Sequence, residues 1–379
     1  MNFALTEDQI MIRDSAESFL ADASSSAAVR SAMETAGGFD PALWNRIGTE
    51  LGWCGTAIPA EYGGLGLGQV ELMLILEQMG RHLLCAPFFS TVCLAGNLLC
   101  ETASEAARAK YLPEIAEGRL QAAAPLPSAV DAWDDAASGL RATPTDRGWI
   151  LDGRVPRVPD AATASLLLLF ARIDGAGLGL FAVPADSSQL TVKPITGWDA
   201  TRRFADVEIS ALPVGEAQRI DDAARSQAGF ARSAALARLY LAAEALGGAQ
   251  QCLDLTVAYT ATRKQFGRAV AGFQAVKHRC AEMMVRIEAL RSAVYGAAAL
   301  AAGEPAVEEL ELECAMTRVL AAESFFWCAQ EAIQLHGGVG FTWEYDPQLY
   351  FKRAQASSHW LGTADALRER IAHRLIDGV

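Results

Sequence analysis

Four long stretches of helical pattern in the C-terminal part of the chain constrain the fold most. They span residues 227–262, 274–300, 307–333 and 347–358. Helices of this length gain most of their stability by packing an apolar face against other helices, so the pattern predicts a four-helix bundle. No unit of about 20–50 residues is repeated along the chain, so a solenoid of stacked repeats is not indicated.

The chain before this bundle changes character once. Up to about residue 120 it is helical in pattern, with a capping box at Thr6-x-x-Gln9 and a helix start at Asp40-Pro41. From residue 121 onward, Pro, Gly and Asp separate short β-like runs, which predicts a small antiparallel sheet. The sequence therefore predicts a mainly α chain with a β middle, in three domains: an N-terminal helical domain over residues 1–120, a β domain over 121–225 and the bundle over 226–379.

Charge and composition exclude several classes of function. The formal charge of −13, without any run of Lys and Arg, argues against a nucleic-acid surface. Residues 1–8 show neither the basic nor the apolar part of a secretory signal, and the longest apolar runs are too short to span a bilayer. The eight cysteines form no CxxC pair, which is typical of reduced core residues. We therefore expect a cytoplasmic protein with no metal, nucleic acid or membrane insertion.

A glycine-rich interruption separates the third and fourth helices of the predicted bundle. It reads Gln-Leu-His-Gly-Gly-Val-Gly-Phe over residues 334–341. A double glycine lets backbone amides approach a bound oxyanion, because no side chain stands between them. An isolated Gly-Gly is more often an ordinary turn, but here two further motifs accompany it. They are Arg-Lys-Gln-Phe-Gly at 263–267, where the first long helix ends, and Phe-Gln at 273–274.

Together with Gly-Thr at 362–363, these motifs resemble those of the acyl-CoA dehydrogenase family, and the order of helices, β region and bundle resembles that family's architecture. The resemblance implies FAD-dependent oxidation of an acyl-CoA thioester to its α,β-enoyl form. Arg238 matches the family's arginine beside the CoA thioester, with a surface arginine lying along its helix as the alternative. The resemblance also implies contacts to an FAD shared between subunits by Arg263, Gln265, Phe266, Phe273, Gln274, Gln334, Gly337, Gly338, Gly362 and Thr363.

The family's catalytic base is missing from its usual position. The reaction needs a carboxylate that removes the α-proton, donors for the enolate oxygen and a flavin that accepts the β-hydride. The glutamate that precedes Gly-Thr in the family is Leu361 here, and only its backbone N–H could still contact the substrate. A minority of the family carries the base on the first bundle helix, where this chain has Ala237.

Glu244 is the nearest acid on that helix. It lies two turns beyond Ala237 on nearly the same face. Its neighbours are mostly apolar, and such surroundings raise the pKa of a carboxyl group toward the range that suits a base. The alternative is a glutamate paired with Arg or Lys from an adjacent helix. Glu77 allows the same two interpretations.

The residues that contact the flavin ring in the family also differ. The family's Thr-Glu-Pro and Gly-Ser-Asp motif reads Pro-Leu-Pro-Ser-Ala-Val-Asp at 125–131, and its Trp-Ile-Thr reads Arg-Val-Pro at 157–159. Proline offers neither a hydroxyl nor an N–H to the flavin N5. The lost residues serve a chain's own flavin ring, whereas the retained motifs reach a neighbour's FAD in the resembled family.

Three functional hypotheses remain open at this point. The first is a subunit of a homo- or hetero-tetrameric acyl-CoA dehydrogenase whose partner chain supplies the base. Its expected substrates include bulky acyl groups such as steroid side chains, and its expected electron acceptor is an electron-transfer flavoprotein or a similar protein. The second is a self-sufficient homotetrameric flavoenzyme that uses Glu244 or another acid. The third is a non-catalytic scaffold that binds CoA or flavin.

Overall fold

Helices, then strands, then long helices follow one another along the chain. The computed structural model describes residues 5–125, 139–173 and 176–377. The N-terminal helices are α1 (Glu7–Ala23), α2 (Ser26–Glu34), α3 (Pro41–Asn45), α4 (Gln69–Arg81), α5 (Asn97–Thr102) and α6 (Glu105–Ala116). The strands of the large sheet are β1 (Ala122–Ala123), β2 (Leu140–Thr145), β3 (Gly148–Pro159), β4 (Leu166–Ile173), β5 (Gly177–Pro184), β6 (Leu190–Ile195) and β7 (Phe204–Val214).

The C-terminal elements contain the four long helices that the pattern predicts. They are α7 (Ser226–Thr262), β8 (Lys264–Gln265), β9 (Arg268–Ala269), α8 (Gln274–Ala302), α9 (Val307–His336), α10 (Pro347–Ser357) and α11 (Ala364–Ala372). The mainly α fold class with a β middle is confirmed. The residue limits of the three domains stay a prediction.

Two helix starts in the N-terminal region have the caps that their sequences indicate. The Thr6 hydroxyl accepts the Gln9 N–H at 3.2 Å, and the Gln9 side chain accepts the Thr6 N–H at 3.0 Å, which completes a capping box at α1. The Asp40 carboxylate accepts the Ala42 N–H at 2.8 Å, with Pro41 in the first turn of α3.

The large sheet differs from the predicted one because it is mixed, not antiparallel. In the described part of the chain it has seven strands in the order β1-β4-β2-β3-β7-β6, and β5 pairs with β4. β4 runs parallel to both β1 and β2, because the chain crosses over between these strands instead of returning through a hairpin. Two of its strands carry no clear sequence signal. β1 is only two residues long, and β2 contains Pro144, which normally weakens a strand assignment.

Close contact between α4 and α7 depends on two glycines. A Cβ at Gly80 would lie 2.0 Å from the carbonyl oxygen of Glu244, and a Cβ at Gly247 would lie 1.7 Å from that of Glu77. Both distances are far below van der Waals contact, so only glycine lets the two helices approach this closely. The crossing fixes Glu77 and Glu244 in the interior between the helices.

A two-residue hairpin follows α7 where the motif at 263–267 was expected only to end the helix. Lys264 and Gln265 in β8 pair with Ala269 and Arg268 in β9. Residues 266 and 267 form the turn with φ values of 52° and 76°. Positive φ at both central residues is the signature of a type I′ turn. The sequence signal was weak, because the first of these residues is Phe266 and not the Asn, Asp or Gly that such turns prefer.

The described residues include no helix long and apolar enough to cross a membrane. All eight cysteines fall within the described ranges, and each is a free thiol. Burial raises the pKa of the Cys54, Cys93 and Cys252 thiols, which keeps them protonated and unreactive. In the part of the chain that the structure describes, no three His, Cys, Asp or Glu side chains are grouped to hold a metal ion.

Candidate functional site

The hairpin after α7 presents an aromatic side chain to solvent. Phe266 is 92% exposed, although its left-handed backbone conformation is unfavourable for a bulky residue. Its ring meets that of Phe273 edge-on with centroids 6.2 Å apart, and the Arg268 guanidinium lies 3.9 Å from the centre of the Phe273 ring. Arg263, Gln265 and Gln274 are exposed around this pair. Strained backbone and exposed aromatic surface commonly mark a binding surface.

The glycine-rich turn at the end of α9 is open on its outer side. Gly337 has φ 67° and ψ −148°, a conformation that is essentially restricted to glycine. An added Cβ at Gly338 would have no described atom within 4 Å. At Gly340, in contrast, a Cβ would lie 2.7 Å from the carbonyl oxygen of Ile333. Packing within the chain therefore explains the glycine at 340 but not the glycine at 338.

The hairpin and the glycine turn lie at the same end of the bundle. Tyr259, in the last turn of α7, stacks on His336, the last residue of α9, with ring centroids 4.4 Å apart and planes 19° apart. Gln334, Gly337 and Gly338 are exposed at this end. The structure therefore unites two motifs that lie about 70 residues apart in the sequence, a separation that the bundle geometry closes.

Gly362 and Thr363 belong to a different local structure, the connection from α10 to α11. The Thr363 hydroxyl accepts the N–H of Ala366 at 3.4 Å and caps α11. Gly362 has φ 104°, and a Cβ there would lie 3.0 Å from Leu367. Both residues thus have a structural role in this chain, and their predicted FAD contacts stay a prediction.

The usual base position lies in a buried turn held by two arginines. Leu361 is 1% exposed and has φ 59°, and its carbonyl oxygen accepts from Arg238 Nε at 3.0 Å. Arg318 Nη2 donates to the carbonyl oxygens of Ser357 at 2.5 Å and of Trp360 at 3.2 Å. Burial, together with the positive charge of Arg238, lowers the pKa of Arg318 to about 10. The arginines satisfy carbonyls at the end of α10, where positive charge is favourable.

Arg238 is therefore buried, not a surface arginine along its helix. It is 1% exposed and directed at the backbone of the turn at 361. Ala237, at the alternative base position, is likewise buried. Neither of the family's two base positions offers a proton acceptor in this chain.

Glu244 is paired with an arginine, as its alternative interpretation expects. Its carboxylate accepts from Arg202 Nη2, with 2.6 Å to Oε1, and both residues are 8% exposed. The arginine comes from the segment before β7 and not from an adjacent helix. A cavity of about 10 Å³ borders the pair, which is room for roughly one water molecule. Glu77 is also paired, with Arg291 and with the Tyr295 hydroxyl at 2.9 Å.

Aromatic and charged side chains surround the Arg202–Glu244 pair. The Arg202 guanidinium carbon lies 5.4 Å from the centre of the Phe89 ring and 5.7 Å from that of Trp360. Guanidinium groups are well suited to such contacts because they are planar and weakly hydrated. Arg353 Nε donates to Asp199 at 2.9 Å in the same region. Sequence reasoning missed these residues, because no local motif connects positions so far apart in the chain.

The segment that would cover the flavin ring leads into a buried acid. Pro159 ends β3, and Asp160 follows it with φ 52°. The Asp160 carboxylate accepts from the Ser90 hydroxyl at 2.7 Å. Burial raises the pKa of Asp160 to about 6, although the Ser90 hydrogen bond and the charge of Arg202 oppose the rise. The other ring motif, residues 126–131 after Pro125, lies outside the described residues.

These features define a protein with an exposed aromatic and glycine-rich surface at one end of a helical bundle and buried, paired charges beside its sheet. Two family models match the chain: "Acyl-CoA dehydrogenase, N-terminal domain" over residues 6–119 and "Acyl-CoA dehydrogenase, C-terminal domain" over residues 230–376. Acyl-CoA dehydrogenase IpdE2 of Mycolicibacterium smegmatis is 32% identical, covering 94% of this chain and 96% of that protein. The chain belongs to the acyl-CoA dehydrogenase family, a family of FAD-dependent oxidoreductases.

Further comparisons agree with this assignment. Acyl-CoA dehydrogenase IpdE2 of Mycobacterium tuberculosis is 31% identical, covering 96% of each chain. A solved structure of a variant steroid ACAD, Tcur3481-Tcur3483, matches with a TM-score of 0.87 and 27% identity over 98% of both chains. The ChsE4-ChsE5 complex from Mycobacterium tuberculosis has the same fold, with a TM-score of 0.89 at 24% identity over 99% of both chains.

Proposed function

We propose that the chain is a subunit of an acyl-CoA dehydrogenase whose FAD and base are completed by a partner chain. The observation that carries this proposal is a contrast between two regions of the chain. The hairpin after α7 and the glycine turn after α9, which match motifs that contact a neighbour's FAD in the family, are exposed at one end of the bundle. The turn at Leu361, in contrast, is buried and has no acid. A binding surface without a base of its own has a use only in an assembly.

The exposed surface fits the adenosine and pyrophosphate part of FAD. Arg263 supplies a planar guanidinium for phosphate, which accepts bidentate hydrogen bonds. Phe266 supplies an aromatic face for adenine, and the glycines at 337 and 338 let backbone amides approach the pyrophosphate. When bound, FAD supplies the acceptor for the hydride that leaves the β-carbon of the acyl group. The openness around Gly338 supports this fit, because a ligand or partner backbone can come close there.

The proposed substrate class is a bulky acyl-CoA, including acyl groups derived from steroid side chains. The support is the chain's similarity to a structure described as a steroid ACAD. We propose a tetramer built from two kinds of chain, with an electron-transfer flavoprotein or a similar protein as the electron acceptor. The similarity to the Tcur3481-Tcur3483 steroid ACAD, which is named for two chains, supports the first part of this proposal. We also propose a cytoplasmic location, because the eight cysteines are free thiols, which is typical of a reducing compartment.

A self-sufficient enzyme that uses Glu244 as base is the second candidate. The specific observation in its favour is that Glu244 is a buried acid near Trp360, the neighbour of the usual base position. Against it stands the pairing with Arg202, because a base must be free to take a proton. A scaffold that binds CoA or flavin without catalysis is the third.

Purification with and without a partner separates these candidates. The full chain is expressed alone and together with a second acyl-CoA dehydrogenase chain from the same organism that carries the usual glutamate. Flavin absorbance and acyl-CoA oxidation with an artificial acceptor are then measured. We expect the lone chain to be colourless and inactive and the pair to be yellow and active. A lone chain that is yellow and active supports the second candidate, and a flavin-loaded pair without oxidation supports the third.

A further inference from the structure

The space for a flavin ring beside this chain's own sheet is filled by its own side chains. The family resemblance places that ring between the residues at 157–159, which would cover it, and position 361. Asp160 directly follows the first segment, and its N–H donates to the carbonyl of Arg203 at 3.0 Å. Trp360 directly precedes the second, and its ring lies 5.7 Å from the guanidinium carbon of Arg202. Arg202 therefore lies between the two segments.

Five charged residues in this space form what we call the buried charge cluster. Each is less than 10% exposed, and two arginines face three carboxylates: Arg202, Arg353, Glu244, Asp160 and Asp199. Paired charges of this kind are stable in an interior only when their hydrogen bonds are satisfied in place. Among the fully buried polar side-chain atoms of the described residues, Arg202 Nε is the only one in the cluster without a hydrogen-bond partner. The charges are therefore held mainly by contacts within the chain.

The room that remains is far too small for a cofactor. The cavity beside Arg202 and Glu244 has a volume of about 10 Å³, and Leu241, Phe325 and Trp360 also line it. That volume accommodates roughly one water molecule, whereas a small-molecule ligand site typically measures about 300 Å³ or more. A tricyclic flavin ring would have to displace the Arg202–Glu244 pair.

We propose that the buried charge cluster occupies this chain's own flavin-ring position, with Arg202 as the group that excludes the ring. The inference rests on the proposed function and adds the number of FAD molecules that each assembled enzyme binds. Flavin then contacts this chain only at the hairpin and glycine turn, where it belongs to the partner's site. The assembled enzyme carries about one FAD for each pair of unlike chains.

The first measurement is the ratio of FAD to protein in the complex of both chains after saturation with FAD and desalting. The second uses the full chain alone with lumichrome, which is the bare flavin ring system. Arg202→Ala combined with Glu244→Ala removes both charges together and opens a space walled by Phe89 and Trp360. An engineered cavity can bind a matching aromatic ligand. We expect this variant to bind lumichrome at least about tenfold more tightly than the wild-type chain.

Arg203→Ala is the matched control, because it removes the same side chain one position away from the cluster. It should bind lumichrome no better than the wild-type chain. If the double alanine variant does not fold, Arg202→Met with Glu244→Gln refills the space without charge and should still exclude lumichrome. Binding of lumichrome by that refilled variant, or by the wild-type chain, would overturn the inference. So would equal lumichrome binding by the wild-type chain and a folded double alanine variant.

The FAD count separates a failure of this inference from a failure of the proposed function. A complex that carries FAD on both kinds of chain and still needs the partner for activity refutes the inference alone. A lone chain that oxidises acyl-CoA refutes the proposed function, whatever the FAD count of the complex. A ratio near one FAD for each pair of chains, with lumichrome binding gained only by the opened variant, supports both.

Discussion

Three neighbouring glycines at the end of α9 should respond differently to the same substitution. At Gly338 an added methyl group has no described atom within 4 Å, so Gly338→Ala should not destabilise the isolated chain. It should raise the free energy of unfolding by about 0.4–1 kcal/mol, because alanine has fewer conformations than glycine in the unfolded chain. In the complex, however, the same methyl group lies where the amides are proposed to meet the FAD pyrophosphate. FAD retention should therefore fall.

The flanking glycines supply the controls. Gly337→Ala forces alanine into a backbone conformation that is nearly restricted to glycine, which should lower the free energy of unfolding by about 1–3 kcal/mol. Gly340→Ala places a Cβ 2.7 Å from the carbonyl of Ile333, which should cost about 1–3 kcal/mol through overpacking. Both variants should therefore lose stability in the isolated chain before any partner is present.

The assays are urea unfolding of each isolated variant and FAD content of each purified complex. Gly338→Ala should separate the two readouts: the isolated chain should keep or gain stability in urea, and the complex should contain less FAD. A Gly338→Ala complex that keeps all of its FAD would refute the assignment of this turn to the pyrophosphate. A Gly338→Ala chain as unstable as Gly340→Ala would instead refute the description of an open turn.

Three further predictions concern single positions. Arg263→Ala should weaken FAD retention in the complex by about 1.5–3 kcal/mol, with partial recovery in Arg263→Lys, and unchanged FAD content would contradict the phosphate contact. Leu361→Ala should lower the free energy of unfolding by roughly 2–4 kcal/mol, yet leave turnover of the complex within about threefold; a strong change in KM would show that this wall touches substrate. The pKa of Asp160 is raised from 3.8 to about 6, so the folded chain binds the proton more tightly and stability falls as the pH rises through this range. Asp160→Asn should remove that fall and raise the free energy of unfolding at pH 7 by up to about 3 kcal/mol, which pH-dependent urea unfolding checks.

The helical parts of the fold could be predicted because their signals are local. The capping box at Thr6, the Asp40-Pro41 start and the long apolar stripes of the bundle each depend on residues within a few turns of one another. The mixed parallel and antiparallel pairing of the sheet could not be predicted from local signals. It depends on which strands become neighbours after a crossover, and β2 carries a proline in a position where only one neighbour strand pairs with it.

The candidate site likewise contains residues that local motifs reveal and residues that only the tertiary fold brings together. The retained FAD motifs are short and contiguous, so sequence alone could place Arg263, Phe266 and the glycine turn in one group. The pairing of Arg202 with Glu244 joins positions 42 residues apart, and it arises from a segment before β7 meeting the middle of α7. Sequence reasoning could offer an arginine partner for Glu244 only as an alternative, because the identity of that partner is a property of the tertiary fold.

The exposed aromatic residues at this end of the bundle also affect the chain before it assembles. A newly made chain displays the Phe266 ring, 92% exposed, and presents Phe341 and Trp343 at 55% and 61% exposure. Aromatic surface of this kind invites chaperone binding, aggregation and proteolysis when no partner covers it. With the partner chain of the proposed function, synthesis of the two chains in matched amounts would keep this surface covered. We expect an excess of unassembled chain to be short-lived in the cell, even though its core is folded.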